Sequence, residues 1–471
     1  MDAKIFFGSN EATKERLSER VSPYSGEVVS RAPICSAEDA KRALSIAQEA
    51  AKRAKKSTLS QRCEWLLDVA QKLKENKEDI ARTITDEVGK PIAFARVEVE
   101  RCIETVRLSA ETMRTMHGET INTDAMASGK KTLSFFRREP VGVIVAITPF
   151  NFPLNLVAHK LAPALVAGNA VVLKPTPEAP LTAYKFAKLF VESVHAIPDA
   201  LSVVYGDAEV GSALISSDIP RVVSFTGSVP VGEIITKNAG IKKVGLELGG
   251  NAATFIDKSA DLAYAAERCA MGAFVNSGQV CISLQRIYVH EAIYDAFAAH
   301  MAEATQKLKV GSPYEDDTFM GPLINDEACE RAMRWVENAI EEGAAPLLPP
   351  HREGRVFYPC VMTNVRDDMA IVCEEVFAPI VSLVRVSGFE DALPRMNNSP
   401  YGLQFSVFTN DLRVMQEAIE ELDAGGVVIN DMPTLRFDIQ PYGGVKLSGV
   451  GREGPRFAIE EMTEIKSVVI C

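Results

Sequence analysis

The fold is decided by residues 141–174, which read VGVIVAITPFNFPLNLVAHKLAPALVAGNAVVLK. An apolar, β-branched run at 141–147 is followed by a helical stretch and a second short run at 170–173. Three similar runs follow at 201–205, 222–225 and 243–246. Short apolar strands spaced by roughly 20–30 residues are typical of βαβ units. The sequence therefore predicts an α/β fold with a doubly wound, parallel, nucleotide-binding sheet.

Other elements are predicted on both sides of this region. Upstream, residues 36–88 predict helix with Ser36 as its N-cap, and the helical pattern continues over 83–119 after an interruption at Gly89. Downstream, a second α/β region is predicted from a helix at 261–275, a strand at 287–289, helices near 292–308 and 326–342, a surface loop at 343–359 and a strand at 426–430. Two segments, 120–138 and 464–470, predict strands outside both regions. They either reach another subunit or form ordinary edge strands.

Length and composition limit the class of protein. A chain of 471 residues predicts two or three packed units, and 47% hydrophobic with 24% charged residues is typical of a soluble globular protein. No apolar run reaches about 18 residues, so no membrane span is predicted. The first residues do not resemble a signal peptide, which predicts a cytoplasmic protein. A net charge of −12 opposes nucleic-acid binding.

Cysteine and histidine usage favours free thiols and no metal site. The nine cysteines are odd in number and include no CxxC pair, so neither a disulfide framework nor a zinc ribbon is predicted. The six histidines are scattered and form no HExxH motif.

Two segments carry residues suited to covalent catalysis. Cys281 ends the loop NSGQVC at 276–281, and Glu247 lies in LELGG at 246–250. A thiolate is a strong nucleophile, and a carboxylate held among glycines can act as a base toward water. Taken alone, each has an ordinary alternative, since a single cysteine is more often structural and a capped or salt-bridged carboxylate is the other interpretation of Glu247. The pair suggests covalent catalysis on a carbonyl.

Three further segments suit a bound anion or dinucleotide. No GxGxxG follows a strand, but Ser224–Gly232 predicts a strand end and a helix beginning near Pro230, with Thr226 or Ser228 as its cap. Lys174 places a cation at the ligand-binding edge of the sheet. Asn151 follows the strand at 141–147, where its amide can either donate to an oxyanion or satisfy a turn.

Together these segments closely resemble the aldehyde dehydrogenase superfamily over nearly the whole chain. The resemblance rests on seven segments in the family's order, namely TPFNFP at 148–153, KP at 174–175, FTGS at 225–228, LELGG at 246–250, GQVC at 278–281, EEVFAP at 374–379 and PYGGVKLSG at 441–449.

The resemblance implies a mechanism. Cys281 would attack an aldehyde to form a thiohemiacetal, Asn151 and the Cys281 amide would hold the oxyanion, and hydride would leave for a nicotinamide. Glu247 would then activate the water that hydrolyses the thioester; this favours a carboxylic acid as product over transfer to coenzyme A. The implied cofactor-binding residues are Thr148, Pro149, Phe150, Lys174, Pro177, Gly227, Ser228, Gly232, Leu248, Glu375 and Phe377.

The resemblance leaves the choice between NAD and NADP open. Many NAD-preferring members carry a glutamate three residues after the lysine, where this chain has Pro177. Without that carboxylate a 2′-phosphate would not be repelled, with partial compensation by the adjacent Glu178 as the alternative. The prediction is NAD or NADP, leaning slightly to NADP.

The resemblance suggests a small aldehyde as substrate. The sequence around the nucleophile looks most like the lactaldehyde, glyceraldehyde-3-phosphate and phosphonoacetaldehyde dehydrogenase branch, which favours a short hydroxylated aldehyde. The predicted substrate-binding residues are Arg101, Phe152, His159, Val280, Ile282 and Arg436. The alternative for His159 is a satisfied helix histidine, and that for Arg101 is an ordinary ion pair on a helix surface. The two arginines leave an anionic aldehyde (phosphorylated, phosphono- or sulfo-aldehyde, or a semialdehyde) as the alternative, while Val280 and Phe152 depart from the phosphate-binding pattern.

The resemblance also implies a domain organisation and an assembly. The predicted domains are a dinucleotide-binding domain at 1–119 and 141–248, a catalytic domain at 249–440, and an oligomerisation element at 120–140 and 458–471. A homo-oligomer, either dimer or tetramer, is expected. A thiol esterase or hydrolase is the remote alternative, and it would need a histidine beside Cys281.

Overall fold

The computed structural model describes residues 2–471. Within them, fifteen α-helices are formed: α1 Ala37–Lys56, α2 Leu59–Glu75, α3 Lys77–Val88, α4 Ile92–Thr115, α5 Asn155–Val166, α6 Pro180–Val191, α7 Ala208–Ser216, α8 Val229–Asn238, α9 Leu262–Phe274, α10 Tyr294–Gln306, α11 Asp326–Glu341, α12 Ala370–Cys373, α13 Phe389–Asn397, α14 Leu412–Glu421 and α15 Pro455–Glu461.

The same residues form twenty-four strands: β1 Ile5–Phe7, β2 Asn10–Ala12, β3 Leu17–Val21, β4 Val28–Pro33, β5 Glu119–Ile121, β6 Leu133–Pro140, β7 Val143–Ile147, β8 Ala170–Lys174, β9 Leu201–Val203, β10 Val222–Thr226, β11 Lys243–Glu247, β12 Ala252–Ile256, β13 Leu284–His290, β14 Ala345–Pro346, β15 Arg352–Glu353, β16 Val356–Phe357, β17 Cys360–Thr363, β18 Ile380–Val386, β19 Tyr401–Gly402, β20 Gln404–Phe408, β21 Gly426–Ile429, β22 Val445–Lys446, β23 Gly449–Val450 and β24 Thr463–Ile470.

The five strands predicted from the apolar runs lie side by side in one sheet. Its order is β2-β1-β9-β8-β7-β10-β11-β23, and the central strands β9, β8, β7, β10 and β11 are parallel. These strands are buried almost throughout because helices pack against them, which explains their continuous apolar sequence. The predicted α/β fold with a parallel sheet is confirmed.

The second α/β region forms a seven-stranded sheet of order β14-β17-β18-β13-β12-β20-β21. All its pairings are parallel except that of β14 with β17. Helices α9, α10 and α11 and the strands β13 and β21 lie where the sequence predicted them.

The N-terminal helical region is more divided than predicted. Ser36 caps α1 as expected, in a capping box with Asp39, but the chain breaks at Thr58 and at Asn76. Gly89, whose φ is +69°, ends α3 in the left-handed conformation that favours glycine. The prediction that helix extends to residue 119 was wrong, because α4 ends at Thr115 and β5 begins at Glu119.

The two unassigned segments pair with each other. Strand β24 runs antiparallel to β6 over eight residue pairs, and β5 completes a three-stranded sheet. Large apolar side chains of this sheet are more than 40% exposed, namely Ile121, Leu133, Ile465, Val469 and Ile470. The domain boundaries and the role of this sheet in assembly stay predictions.

The parallel sheet positions the loops that follow its strands. The ends of β7 and β10 are in register at Ile147 and Phe225, and the ends of β10 and β11 at Thr226 and Glu247. Because carboxyl ends of parallel strands meet at one edge, the segments after these strands lie together.

Candidate active site

The loops at the sheet edge face a cavity of about 550 Å³. Asn151, Glu247 and Cys281, which lie far apart in the chain, all line it. Asn151 comes from the loop after β7, Glu247 from the end of β11, and Cys281 from the segment between α9 and β13. The structure therefore brings the three residues predicted to be catalytic around one cavity.

The segment before Cys281 is shaped by three left-handed residues. Asn276, Ser277 and Gly278 have φ values of 51°, 57° and 71°. A Cβ on Gly278 would collide with the carbonyl oxygen of Ala378, so this position needs glycine. The Ser277 hydroxyl donates to the carbonyl of Gly321 at 2.8 Å, and Gln279 Oε1 accepts from the Ile324 amide at 3.0 Å. These contacts hold the turn that directs the thiol into the cavity.

The environment of the Cys281 thiol opposes its ionisation. Burial raises the pKa of Cys281, and the carboxylates of Glu375 and Glu247 act in the same direction. The hydroxyl of Tyr442, 3.1 Å from the sulfur, and the charge of Arg436 lower the pKa of the thiol. Forming the nucleophilic thiolate therefore depends on groups that offset the cost of burying its charge.

Asn151 is anchored to the cysteine loop. Its Nδ2 donates to the carbonyl of Gln279 at 3.1 Å, and its Oδ1 accepts from the amide of Phe152 at 3.2 Å. A side-chain amide carries two N–H donors, so one remains for a ligand oxygen. The side chain is positioned to supply an oxyanion donor beside the loop of Cys281.

Glu247 is a buried carboxyl without a strong partner. Among residues 2–471, no donor hydrogen-bonds to its buried Oε2. Burial raises the pKa of Glu247 well above its usual range, and the nearby charge of Glu453 raises it further. A Cβ on Gly443 would lie 2.8 Å from Oε1, so glycine there leaves space for the carboxyl group. A carboxyl group with these properties, facing a cavity, is suited to act as a general base.

Glu375 and Phe377 line the cavity, and Glu375 lies beside the glycines that follow β11. Oε1 of Glu375 accepts from the amide of Gly250 at 2.9 Å, and burial raises the pKa of Glu375 to about 7. Phe377 has a φ of 49°, and its ring centroid lies 6.0 Å from that of Phe150 in an edge-on arrangement. The cavity is therefore bordered here by the apolar ring of Phe377 and the carboxyl group of Glu375.

Most residues predicted to bind the cofactor line this cavity: Pro149, Phe150, Gly227, Ser228, Leu248, Glu375 and Phe377. Thr148, Lys174, Pro177 and Gly232 are not on its wall. Thr148 and Lys174 are linked by a backbone hydrogen bond of 3.3 Å at the sheet edge, and Pro177 is exposed beyond them. Gly232 packs against Leu248, where a Cβ would lie 2.7 Å from a leucine methyl.

The turn before α8 is uncapped by side chains. Ser228 occupies the N-cap position but makes no capping hydrogen bond, and Thr226 Oγ1 has no partner among residues 2–471. The prediction that one of these hydroxyls caps the helix was wrong. The amides of the first turn stay available, and such amides at a helix N-terminus favour a phosphate.

Five of the six residues predicted to bind substrate line the cavity, namely Arg101, Phe152, Val280, Ile282 and Arg436. His159 lies behind the wall, fully buried on α5. Its Nε2 is 2.9 Å from Oδ1 of Asp438 and 3.1 Å from Nη2 of Arg436. The geometry makes His159 a support for charged neighbours instead of a direct contact.

Asp438 joins the two arginines at the cavity. Its carboxylate accepts two hydrogen bonds from Arg101, at 2.9 and 2.7 Å, and lies 3.5 Å from Nε of Arg436. Burial alone would raise its pKa, but His159 and Arg101 hold the pKa of Asp438 far below its usual range. The carboxylate stays ionised and fixes both guanidinium groups.

Glu453 is the second ionised carboxylate, and it lines the cavity itself. It accepts from Nη2 of Arg436 at 2.9 Å and lies 3.4 Å from Nζ of Lys160. Against the effect of burial, Lys160 and Arg436 lower the pKa of Glu453 to about 2. Arg436 is therefore held by two carboxylates.

Sequence reasoning missed Tyr442, Asp438, Glu453 and Lys160. Tyr442 belongs to PYGGVKLSG at 441–449, a segment used for the resemblance, but its contact with the thiol joins residues 161 positions apart and depends on the fold. Asp438 has no sequence signal, because its partners Arg101 and His159 come from distant helices.

Three features that other classes of protein require are missing from residues 2–471. No histidine of residues 2–471 lines the cavity, so the histidine that a thiol hydrolase would need is absent there. No group of three His, Cys, Asp or Glu side chains in this part of the chain is arranged to hold a metal ion. None of the helices between residues 2 and 471 combines the length and apolarity needed to span a membrane.

Comparison with known proteins gives one consistent family. The model of the aldehyde dehydrogenase family matches residues 9–468. The chain is 43% identical over 467 residues to a 3-sulfolactaldehyde dehydrogenase of Priestia aryabhattai, covering 98% of this chain and 96% of that protein. It is 41% identical over 455 residues to a lactaldehyde dehydrogenase of Methanocaldococcus jannaschii, covering 96% of each.

A solved structure supports the same grouping. The crystal structure of glyceraldehyde-3-phosphate dehydrogenase from Methanocaldococcus jannaschii, complexed with NADP, superposes with a TM-score of 0.93 at 40% identity. The match covers 97% of this chain and 100% of that one.

Proposed function

The chain belongs to the aldehyde dehydrogenase family, and on that premise we propose that it oxidises a short hydroxylated aldehyde to its carboxylic acid with NAD or NADP. The observation that carries this proposal is the meeting of Cys281, Glu247 and Asn151 at one cavity. A nucleophile, a base and an oxyanion donor are the groups that acyl chemistry on a carbonyl requires.

The residues act in sequence on the carbonyl carbon. The Cys281 thiolate adds to the aldehyde, and the amide of Asn151 with the backbone N–H of Cys281 stabilises the alkoxide of the thiohemiacetal. A bound nicotinamide supplies the hydride acceptor needed to reach the thioester. Glu247 then takes a proton from water as the water adds to the thioester carbon, and Cys281 leaves as thiolate.

The cofactor proposal rests on the sheet edge. The uncapped first turn of α8 next to Gly227 and Ser228 suits a pyrophosphate. Pro177 presents no carboxylate that would repel a 2′-phosphate, and the similar glyceraldehyde-3-phosphate dehydrogenase is complexed with NADP. We therefore favour NADP slightly over NAD.

An anionic short aldehyde is the second candidate, and the two cavity arginines favour it. Asp438 occupies Nε and Nη2 of Arg101, while Glu453 occupies Nη2 of Arg436. Within residues 2–471, neither Nη1 hydrogen-bonds to an acceptor, and both residues line the cavity. A sulfonate or phosphate would be a suitable acceptor for such donors. One similar protein is named 3-sulfolactaldehyde dehydrogenase, and the aldehyde in that name carries both a hydroxyl group and an anionic sulfonate.

A substrate panel tests both candidates. Lactaldehyde, 3-sulfolactaldehyde, glyceraldehyde 3-phosphate and propanal are each assayed with NAD and with NADP, following the absorbance of reduced nicotinamide. We expect kcat/KM for lactaldehyde or 3-sulfolactaldehyde to exceed that for propanal by at least about tenfold. Equal values for all four would refute the substrate class. No reduction of either cofactor would refute the function.

The sheet formed by β5, β6 and β24 supports a homo-oligomer. Its exposed apolar side chains, Ile121, Leu133, Ile465, Val469 and Ile470, would be covered by a second copy. Light scattering after size exclusion measures the mass directly. Ile465→Lys with Val469→Lys should reduce that mass, and a wild-type monomer would contradict the proposal.

A further inference from the structure

We propose that Tyr442 is a catalytic residue whose hydroxyl donates a hydrogen bond to the sulfur of Cys281 and stabilises the thiolate. The inference rests on the proposed role of Cys281 as nucleophile and adds a residue that the family resemblance did not nominate. It is argued from the position of the hydroxyl, the direction of its hydrogen bond and the charges around the sulfur.

The hydroxyl is held at the sulfur by the backbone. The amide and carbonyl of Tyr442 pair with the carbonyl and amide of Glu453 at 3.1 and 2.6 Å. The ring is buried and packs with Val280 and Ile282 on either side of the cysteine. Its oxygen lies 3.1 Å from the sulfur, and within residues 2–471 it makes no other hydrogen bond. The hydroxyl therefore has one partner.

The direction of this hydrogen bond follows from the tyrosine's environment. Burial, with the adjacent Cys281 and Glu247, raises the pKa of Tyr442 well above its usual range, so the hydroxyl stays protonated. A thiolate has no proton to donate, which leaves the hydroxyl as donor. The guanidinium carbon of Arg436 lies 3.7 Å from the ring centroid, and this cation draws electron density from the phenol.

The thiolate has few other sources of stabilisation. The charged groups that act on Cys281 are Glu375 and Glu247, which oppose its ionisation, and Arg436, which favours it. Arg436 is already paired with Glu453, so its charge is partly neutralised. The hydroxyl of Tyr442 is the nearest group that favours the thiolate.

This role has a specific kinetic signature. A donor that stabilises the thiolate lowers the pKa of the thiol, and it also reduces the intrinsic reactivity of the sulfur. Once the sulfur is bonded to the substrate carbon, it carries no full negative charge and is only a weak hydrogen-bond acceptor. Removing the hydroxyl should therefore slow the reaction near neutral pH without slowing it at high pH.

The test is the pH dependence of Cys281 alkylation in the full-length protein without cofactor or aldehyde. Iodoacetamide labelling is followed on the Cys281 peptide by mass spectrometry, because the chain has nine cysteines. In Tyr442→Phe we expect the thiol pKa to rise by about 1 unit and the rate at pH 7.5 to fall about tenfold. The rate at the alkaline plateau should equal or exceed that of the wild type.

Two results would overturn the proposal. An unchanged pKa in Tyr442→Phe would show that the hydroxyl does not stabilise the thiolate. A rate lowered equally at every pH would show a loss of positioning only. Tyr205→Phe is the matched control, since Tyr205 is buried with a hydroxyl that has no partner among residues 2–471. Its pH profile should be that of the wild type.

A second substitution keeps the test independent of folding. Replacing Tyr442 by 3-fluorotyrosine retains the ring and makes the phenol a stronger acid and donor. The thiol pKa should then fall below the wild-type value, and a rise or no change would refute the proposal. If the wild type reduced no nicotinamide with any aldehyde, the proposed function would fail while the alkylation comparison still reported on Tyr442.

Discussion

Four of the buried or partly buried carboxyl groups around the cavity divide into two pairs whose pKa values are shifted in opposite directions. Burial raises the pKa of Glu247 well above the usual range and that of Glu375 to about 7. Burial acts on Asp438 and Glu453 as well, yet the pKa of Glu453 is about 2 and that of Asp438 is lower still. The first pair faces the thiol and the second pair faces arginines.

The difference arises from the partners, because burial is shared. Asp438 and Glu453 each lie within ion-pair distance of Arg436, with Arg101 or Lys160 as a second cation. Glu247 has no donor at Oε2 among residues 2–471, and Glu375 has one backbone amide. Paired carboxylates hold a framework in place, whereas unpaired ones can change protonation during a reaction.

Removing the thiol should have the largest effect. Cys281→Ala deletes the proposed nucleophile, which the unpaired carboxyl groups face, and aldehyde oxidation should fall by at least about 10⁴-fold. Cofactor binding, measured by fluorescence titration, should be retained. Cys373→Ala, at a partly exposed cysteine away from the cavity, is the control and should be fully active. Substantial turnover in Cys281→Ala would remove the nucleophile assignment.

Glu247→Gln tests whether the unpaired carboxyl is the base for hydrolysis. Hydride transfer should occur once per site, giving a burst of reduced nicotinamide in stopped flow. Steady-state turnover should fall by about 10²–10⁴-fold, because the water that cleaves the thioester has lost its base. Unchanged steady-state turnover would mean that another group activates the water.

Glu453→Gln removes one of the two carboxylates that are paired with cations. A carboxylate with a lowered pKa stabilises the fold above its unfolded pKa, and this contribution is lost as the pH falls through about 2. At pH 7 the variant should lose about 3 kcal/mol in urea unfolding, and the difference should shrink toward pH 3. A pH-independent difference would indicate lost packing. Removing this charge should also lower the pKa of Glu247.

Arg436→Ala tests whether the paired side also binds an anion. The Michaelis constant for 3-sulfolactaldehyde should rise about 10- to 100-fold, because a charge-assisted hydrogen bond is lost. The Michaelis constant for lactaldehyde should change by less than about threefold. Arg101→Ala, which removes the other arginine of the cavity, is measured in parallel. Equal effects on both aldehydes would count against anion binding.

Glu375→Gln should show the smallest effect and the opposite sign from Glu453→Gln. Because the folded pKa of about 7 lies above the unfolded value, wild-type stability falls as the pH rises through this interval. The glutamine side chain of the variant does not ionise, so the variant does not lose this stability as the pH rises. Without cofactor, the variant should be more stable than the wild type above pH 7 by about 1 kcal/mol, a reduced value because Glu375 is partly exposed. Lower stability at pH 8 would contradict the assigned environment.

Much of the fold was predictable because its signals are local. The apolar runs that became β7, β8, β9, β10 and β11 are short, β-branched and regularly spaced, and Ser36 and Gly89 mark helix ends by their own conformational preferences. The helix predicted to run to residue 119 failed at Thr115, because the β5 pairing with β6 depends on a partner that local pattern does not reveal.

The site was predictable only where a motif carries the chemistry. Cys281, Glu247 and Asn151 stand in recognisable segments, and the structure places them at one cavity. Asp438 could not be found this way, because its role depends on Arg101, 337 positions away in the chain, and on His159. His159 itself was placed on the right helix, but the side of the wall it occupies depends on how α5 packs.

The amino-acid sequence by itself determined the parallel sheet and the family, and it nominated the residues proposed to react, since periodicity and residue chemistry are properties of the chain. Tertiary structure alone decided which carboxyl groups are paired with cations and which are left unpaired beside the thiol. The physical reason is that a pKa depends on burial and on charges within a few ångströms. Those neighbours come from helices and loops that only folding brings together.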